Sequence, residues 1–157
     1  MKTILLVVGK TVEPHFATGI SDYVKRIGRY LTFDMEVIPE LKNTRNLTEE
    51  VQREKEGELI LKALQPGDTV VLLDEGGKEM RSIEFADYMK HKMNTVNKRL
   101  VFIIGGPYGF APKVYAAAQE KLSLSRMTFS HQMVRLIFVE QLYRAMSILS
   151  GSPYHHE

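Results

Sequence analysis

Cysteine is absent from all 157 residues. That absence excludes disulfides, thiolate metal sites, iron–sulfur ligation and a cysteine nucleophile together. Long apolar runs are absent too. None approaches the roughly 20 residues of a membrane span, so no membrane role is expected. The opening Met1-Lys2-Thr3 and the run Ile4 to Val8 have only a faint likeness to a signal peptide. The run is too short, ends in Gly9-Lys10 and lacks a small-residue cleavage site. The expected location is cytoplasmic. A large excess of one charge is also missing. A net charge of +2 permits a polyanionic partner without demanding one. His15, His91, His131, His155 and His156 show no metal-ligand spacing, and no metal is expected. Two nucleotide signatures are lacking as well. Gly105-Gly106-Pro107-Tyr108-Gly109 fits neither Gly-x-Gly-x-x-Gly nor a P-loop, because Gly-Lys-Ser/Thr is missing.

What is present is an alternation of strands and helices. Hydrophobic residues make up 44%, enough for a core, and the length suits one domain over residues 1–157. Ile4 to Val8 reads as a strand buried on both faces. Glu13 to Tyr30 has helical spacing, with Phe16, Ile20, Tyr23, Val24 and Ile27 on one side. Phe33 to Pro39 alternates as a second strand, and Asn43 to Asn46 is a polar loop. Leu47 to Leu64 is a charged amphipathic helix, stopped by Pro66-Gly67-Asp68. Thr69 to Leu73 is a third strand, followed by a turn at Asp74-Glu75-Gly76-Gly77-Lys78. Ser82 caps a helix that runs to Val96, and Leu100 to Ile104 is the fourth strand. Pro112 opens a helix continuing through Ala118, Leu122 to Ser125 is a short strand, and a last helix spans Ser130 to Ser150. The alternation predicts an α/β fold, a mainly parallel sheet with helices on both faces.

The last helix has little polar surface. Met133, Val134, Leu136, Ile137, Phe138, Val139, Leu142 and Tyr143 follow one another around it. A helix apolar nearly all round is buried on more than one side, which predicts a second subunit as the further cover. On the same helix, Glu140 and Arg144 stand at i and i+4 in the acid-first order of an ion pair. Arg135 lies near the helix start, the unfavourable end of the dipole for a cation; an anionic partner would offset that cost, and solvation explains it equally well.

Two loops suggest a ligand site. Val101 to Ile104 opens into Gly105 and Gly106, which puts bare backbone at the carboxyl end of a sheet, where open α/β sheets bind ligands. A tight strand-to-helix turn is the plainer reading. Leu122-Ser123-Leu124-Ser125-Arg126-Met127-Thr128-Phe129 then offers apolar walls with a few hydroxyls. The pair suits a neutral or zwitterionic cofactor held by main-chain hydrogen bonds.

A resemblance covers the whole chain: Val8-Gly9-Lys10 after the first strand and Lys55-Glu56-Gly57 in the second helix fit it at the amino end, and five further segments carry it in order. They are Ile104-Gly105-Gly106-Pro107-x-Gly109, Leu122-Ser123-Leu124-Ser125-x-Met127-Thr128, His131-Gln132-x-x-Arg135, Glu140-Gln141-Leu142-Tyr143-Arg144-Ala145 and Gly151-x-Pro153-Tyr154-His155. Together they resemble the RlmH family, ribosomal large-subunit methyltransferases of the SPOUT class. The resemblance implies a sheet with a C-terminal trefoil knot, S-adenosyl-L-methionine as cofactor, and a homodimer. It also implies methylation at N3 of a pseudouridine in 23S rRNA, on the assembled ribosome or large subunit.

By matching positions, the resemblance assigns the cofactor to Leu73, Gly105, Leu124, Ser125, Arg126, Met127, Thr128 and Phe129. It makes Arg135, Arg144, Tyr154 and His155 the RNA-side candidates, and His155, Tyr154 and His131 the catalytic ones. His155 and His131 both offer an imidazole for proton removal, and the residues alone do not choose between them. Two positions depart from the family pattern: Ser130 replaces a frequent proline, and His156-Glu157 replaces a terminal basic residue. Two other classes fit part of the sequence. One is a non-catalytic RNA- or ribosome-binding module of the same fold; the other is a small nucleotide-binding protein using Gly105 to Gly109.

Overall fold

A computed structural model describes residues 1–156. Five parallel strands form one sheet in the order β2-β1-β4-β3-β5. They are β1 (Lys2–Val8), β2 (Phe33–Ile38), β3 (Thr69–Glu79), β4 (Arg99–Ile104) and β5 (Glu120–Ser123). The helices are α1 (Pro14–Ile27), α2 (Glu49–Ala63), α3 (Ser82–Thr95), α4 (Pro112–Ala117) and α5 (Met133–Leu149), with one 3-10 turn at Thr44–Asn46.

Period-two burial explains the unbroken apolar runs. Leu5, Val7, Val71, Phe102 and Ile104 face one layer, where they pack with Ile20 and Ile27 of α1, Phe85 and Met89 of α3, and Phe138 and Leu142 of α5. Ile4, Leu6, Leu72, Val101 and Ile103 face the other, against Ile60 of α2 and Val114 of α4. Local chemistry sets the ends. Thr48 Oγ accepts from the Val51 amide at 3.1 Å and caps α2, whose first turn carries Glu49 and Glu50. Gly67, at φ +87°, ends the connection after α2. α2 comes close to α4 because residue 57 is glycine; a Cβ there would lie 3.1 Å from that of Ala111.

Several local readings are corrected. Asp74 to Lys78 is not a free turn, because β3 continues to Glu79 with a register shift against β5 between Leu73 and Lys78. The glycines serve that irregularity: a Cβ on Gly77 would fall 2.6 Å from the Leu122 amide nitrogen. β5 ends at Ser123, where the Ser123 hydroxyl donates to the Ser125 carbonyl at 3.0 Å and starts a turn. Ser82 is the first residue of α3 rather than its cap; its hydroxyl donates to Gln141 at 2.8 Å. α5 begins at Met133, and Ser130 accepts the Met133 amide just ahead of it.

The cover over α5 also differs from expectation. The helix lies on the sheet between α1 and α3, so Phe138 and Leu142 are fully buried by their own chain. Any partner would meet only the remaining stripe, in which Leu136, Ile137 and Tyr143 are half-buried and Met133 is exposed. Among the described residues, no helix is long and apolar enough to cross a membrane.

Candidate functional site

Three loops leave the carboxyl edge of the sheet and enclose a cavity of about 420 Å³. Leu73, Asp74 and Glu75 come from β3, and Gly105, Gly106 and Phe110 follow β4. Leu124, Ser125, Met127, Thr128 and Phe129 follow β5, His131 lies just ahead of α5, and Val134 is in its first turn. The loop after β4 is a tight turn: Gly109, at φ +76°, donates its amide to the Gly106 carbonyl at 3.2 Å. A Cβ on Gly105 would come within 3.1 Å of the Phe110 ring. A Cβ on Gly106 would collide with the carboxylate of Glu56. The glycines therefore leave the backbone bare on the cavity side and let two side chains pack directly behind it.

The hydroxyls of the second loop largely build the loop itself. Ser125 Oγ accepts from the Met127 amide at 2.9 Å, and Thr128 Oγ donates to Glu75 at 2.8 Å, tying the loop after β5 to the end of β3. What is left facing the cavity is backbone with apolar walls. The predicted cofactor residues all line this space except Arg126. Its side chain is 84% exposed and turns to Glu79 at 3.5 Å. Met127 lines the rim and is otherwise open to solvent.

The predicted RNA and catalytic residues separate into three places. His131 lines the cavity. Burial, together with the Arg135 charge, holds its pKa below 6.5 against a smaller opposing pull from Glu40, so the ring is neutral at pH 7. Arg135 is fully buried and is not a surface cation. Its guanidinium donates to the carbonyls of Val8 (2.9 Å), Gly9 (2.7 Å) and His131 (3.0 Å) and to Thr11 Oγ (3.1 Å). It therefore bolts the start of α5 to the end of β1, a scaffold role that replaces the expected anion contact.

Arg144, Tyr154 and His155 gather beside the middle of α5, where the tail turns back onto the helix. Arg144 grips Glu140 at 2.6 Å and lies 4.8 Å from the Tyr154 ring centre. The Tyr154 hydroxyl meets Tyr23 at 3.1 Å and donates to Glu140 at 3.3 Å. Burial and these neighbours keep its pKa high and the hydroxyl protonated. Arg144 reaches His155 Nδ1 at 3.0 Å. A guanidinium only donates, so Nδ1 accepts and the neutral ring carries its proton on Nε2. Glu140 and Arg144, which anchor this cluster, lie roughly 9–15 Å along α5 from Val134 at the cavity, at 1.5 Å per residue.

For two features, the placement at the site is not apparent in the linear sequence. Glu56 is 4% exposed, lies behind Gly106, and is held by Gln52 Nε2 at 3.3 Å. Burial pushes its carboxyl pKa up, Gln52 opposes that, and Glu40 adds to it. Asp74 and Glu75 stand on the cavity rim. Among the described residues, no cluster of His, Asp and Glu is placed to hold a metal ion.

A family model described as "Predicted SPOUT methyltransferase" matches residues 1–155. The chain is 75% identical over 157 residues to the ribosomal RNA large subunit methyltransferase H of Bacteroides thetaiotaomicron, covering 100% of both. It is 52% identical to the protein of that name from Porphyromonas gingivalis, again over 100% of both. Among solved structures it is similar in fold to a probable methyltransferase from Bordetella pertussis Tohama I. That match has a TM-score of 0.57 and 11% identity, and covers 92% of this chain and 96% of the other.

Proposed function

The chain belongs to the SPOUT methyltransferase family, and on that premise we propose that it methylates N3 of a pseudouridine in 23S rRNA. The methyl donor is S-adenosyl-L-methionine. The observation that carries the reading is the cavity: bare glycine backbone, apolar walls and three convergent loops, at a size that suits an adenosyl group. The residues present fit that group. Backbone at Gly105, Leu124 and Met127 would meet the adenine and ribose, and Leu73, Ser125, Thr128 and Phe129 complete the walls.

The donor supplies an electrophilic methyl carbon; the chain must position a nitrogen and accept its proton. N3 of pseudouridine lies between two carbonyls, so its proton is more acidic than an amine's. His131 is the candidate base in the chain's own cavity, because it is neutral at pH 7 and lines the space. Tyr154 and His155 gather with Arg144 beside Glu140, roughly 9–15 Å along α5 from Val134 at 1.5 Å per residue. None of the three lines the chain's own cavity, which favours service to RNA at the cavity of a partner subunit. This supports a homodimer in which the tail acts in trans, with Tyr154 stacking on a base. The hydrogen bonds of Thr128 to Glu75 and of Gln132 to Lys10 and Val12 hold the segment after β5 against β3 and the loop after β1, a placement in keeping with the C-terminal trefoil knot.

The small net charge neutralises few phosphates, which favours recognition of an assembled large subunit in the cytoplasm over free RNA. Calorimetry separates the readings. Binding of S-adenosyl-L-methionine with no binding of ATP or NAD supports the proposal. ATP binding in its place supports a nucleotide-binding protein. No binding of any of the three supports an RNA-binding module.

A further inference from the structure

The proposed cavity has a one-sided charge. Among the described residues two carboxylates line it, Asp74 and Glu75, and no lysine or arginine does. The only other titratable side chain in its wall, His131, is held neutral by burial and by Arg135. Each carboxylate is fixed by a donor from a distant segment. Thr128 Oγ donates to Glu75 at 2.8 Å, and the Tyr115 hydroxyl donates to Asp74 at 3.0 Å. The nearby cations are turned elsewhere. Arg126 faces Glu79 and Arg53 donates to the Tyr108 carbonyl at 3.2 Å, while Lys121 lies over the Tyr115 ring in the adjoining hollow that Asp74 also borders. A walled space bounded by fixed negative charge stabilises a cation over a neutral molecule of the same shape.

We propose that Asp74 and Glu75 set the cavity's preference for the positively charged methyl donor over its neutral demethylated product. This rests on the function proposed above. The donor and its product share adenine, ribose, ammonium and carboxylate; they differ by one methyl and one positive charge at sulfur. Contacts to the shared parts cannot tell them apart, but a negative rim can. The carboxylates are thus specificity-determining residues. They favour loading with the donor and, once the charge has gone, release of the product.

The test is calorimetry on the intact protein with S-adenosyl-L-methionine, S-adenosylhomocysteine and an analogue bearing a protonated amine in place of the sulfonium. Asp74→Asn and Glu75→Gln keep size and hydrogen-bonding capacity while removing charge. Each should lower the donor-over-product affinity ratio on the order of fivefold, the size of a partly screened charge–charge interaction at a cavity rim. The amine analogue should weaken with the donor, and product affinity should stay the same. Added salt should lower the ratio for the wild type and leave it unchanged for the double variant. Equal weakening of donor and product would overturn the inference by assigning the carboxylates to the shared ammonium. An unchanged ratio in folded variants, checked by thermal melting, would overturn it outright. If a variant does not fold, the wild-type salt dependence decides alone, and a salt-independent ratio overturns the proposal. A wild type that binds neither ligand would refute the function first; a wild type that binds both, with the ratio untouched, would refute only this inference.

Discussion

Arg135→Met should cost the protein stability rather than merely RNA affinity. The arginine is fully buried and gives its donors to three carbonyls and a hydroxyl at 2.7–3.1 Å. Methionine keeps most of the stem and supplies no donor. The Val8 and Gly9 carbonyls lose a partner inside the protein, at about 1–3 kcal/mol for each buried group left unmatched. Removing a buried charge returns part of that, since burial already lowers the Arg135 pKa and only Glu40 opposes the shift. The net expectation is a loss of about 2–4 kcal/mol, which for a domain of this size lowers Tm by roughly 5–15 °C. Urea unfolding followed by circular dichroism measures it. Arg135→Lys should fall between, because an ammonium keeps the charge but not the fork that reaches several carbonyls. A Met variant within about 0.5 kcal/mol of wild type, with RNA binding lost, would refute the reasoning and return Arg135 to the RNA surface.

Gly106→Ala drives a methyl into the Glu56 carboxylate and should cost about 1–3 kcal/mol while weakening cofactor binding; Gly106→Ala with Glu56→Ala should recover part of both, as read by calorimetry and urea unfolding. His131 should titrate below 6.5 by NMR. Because its folded pKa is depressed, the unfolded chain binds the proton first, so this stabilisation is full above 6.5 and is lost as pH falls through the folded value; His131→Asn should remove that slope. A chain cut before Tyr154 and a His131→Ala chain should each be inactive alone, and mixed dimers should regain methyl transfer at one of their two cavities; mixtures with no activity would argue against a tail acting in trans.

Much of the fold was legible because parallel strands buried on both faces read as continuous apolar runs, as at Ile4–Val8 and Val101–Ile104. The cavity loops were legible for a different reason: Gly105 and the Leu124–Phe129 segment occur in an order that carries a family pattern. What stayed hidden depended on contacts far apart in the chain. Gly76-Gly77 has the composition of a turn, and only the approach of Leu122 makes it a strand irregularity. Arg135 has the spacing of a surface cation, yet carbonyls more than a hundred residues upstream bury it. The circumference of α5 suggested a partner, but α1 and α3 cover much of it. Glu56 was legible only as part of the Lys55-Glu56-Gly57 segment of the family pattern; its place behind a glycine in another loop had no local sign.

The central claim is tested most directly by methyl transfer itself. Large ribosomal subunits from cells lacking this activity, incubated with the protein and methyl-labelled S-adenosyl-L-methionine, should gain one label per particle. Nuclease digestion and mass spectrometry should place that label on N3 of a pseudouridine, with far less label on naked 23S rRNA. Label at any other atom, equal labelling of a uridine-containing transcript, or no transfer to intact subunits would contradict the account.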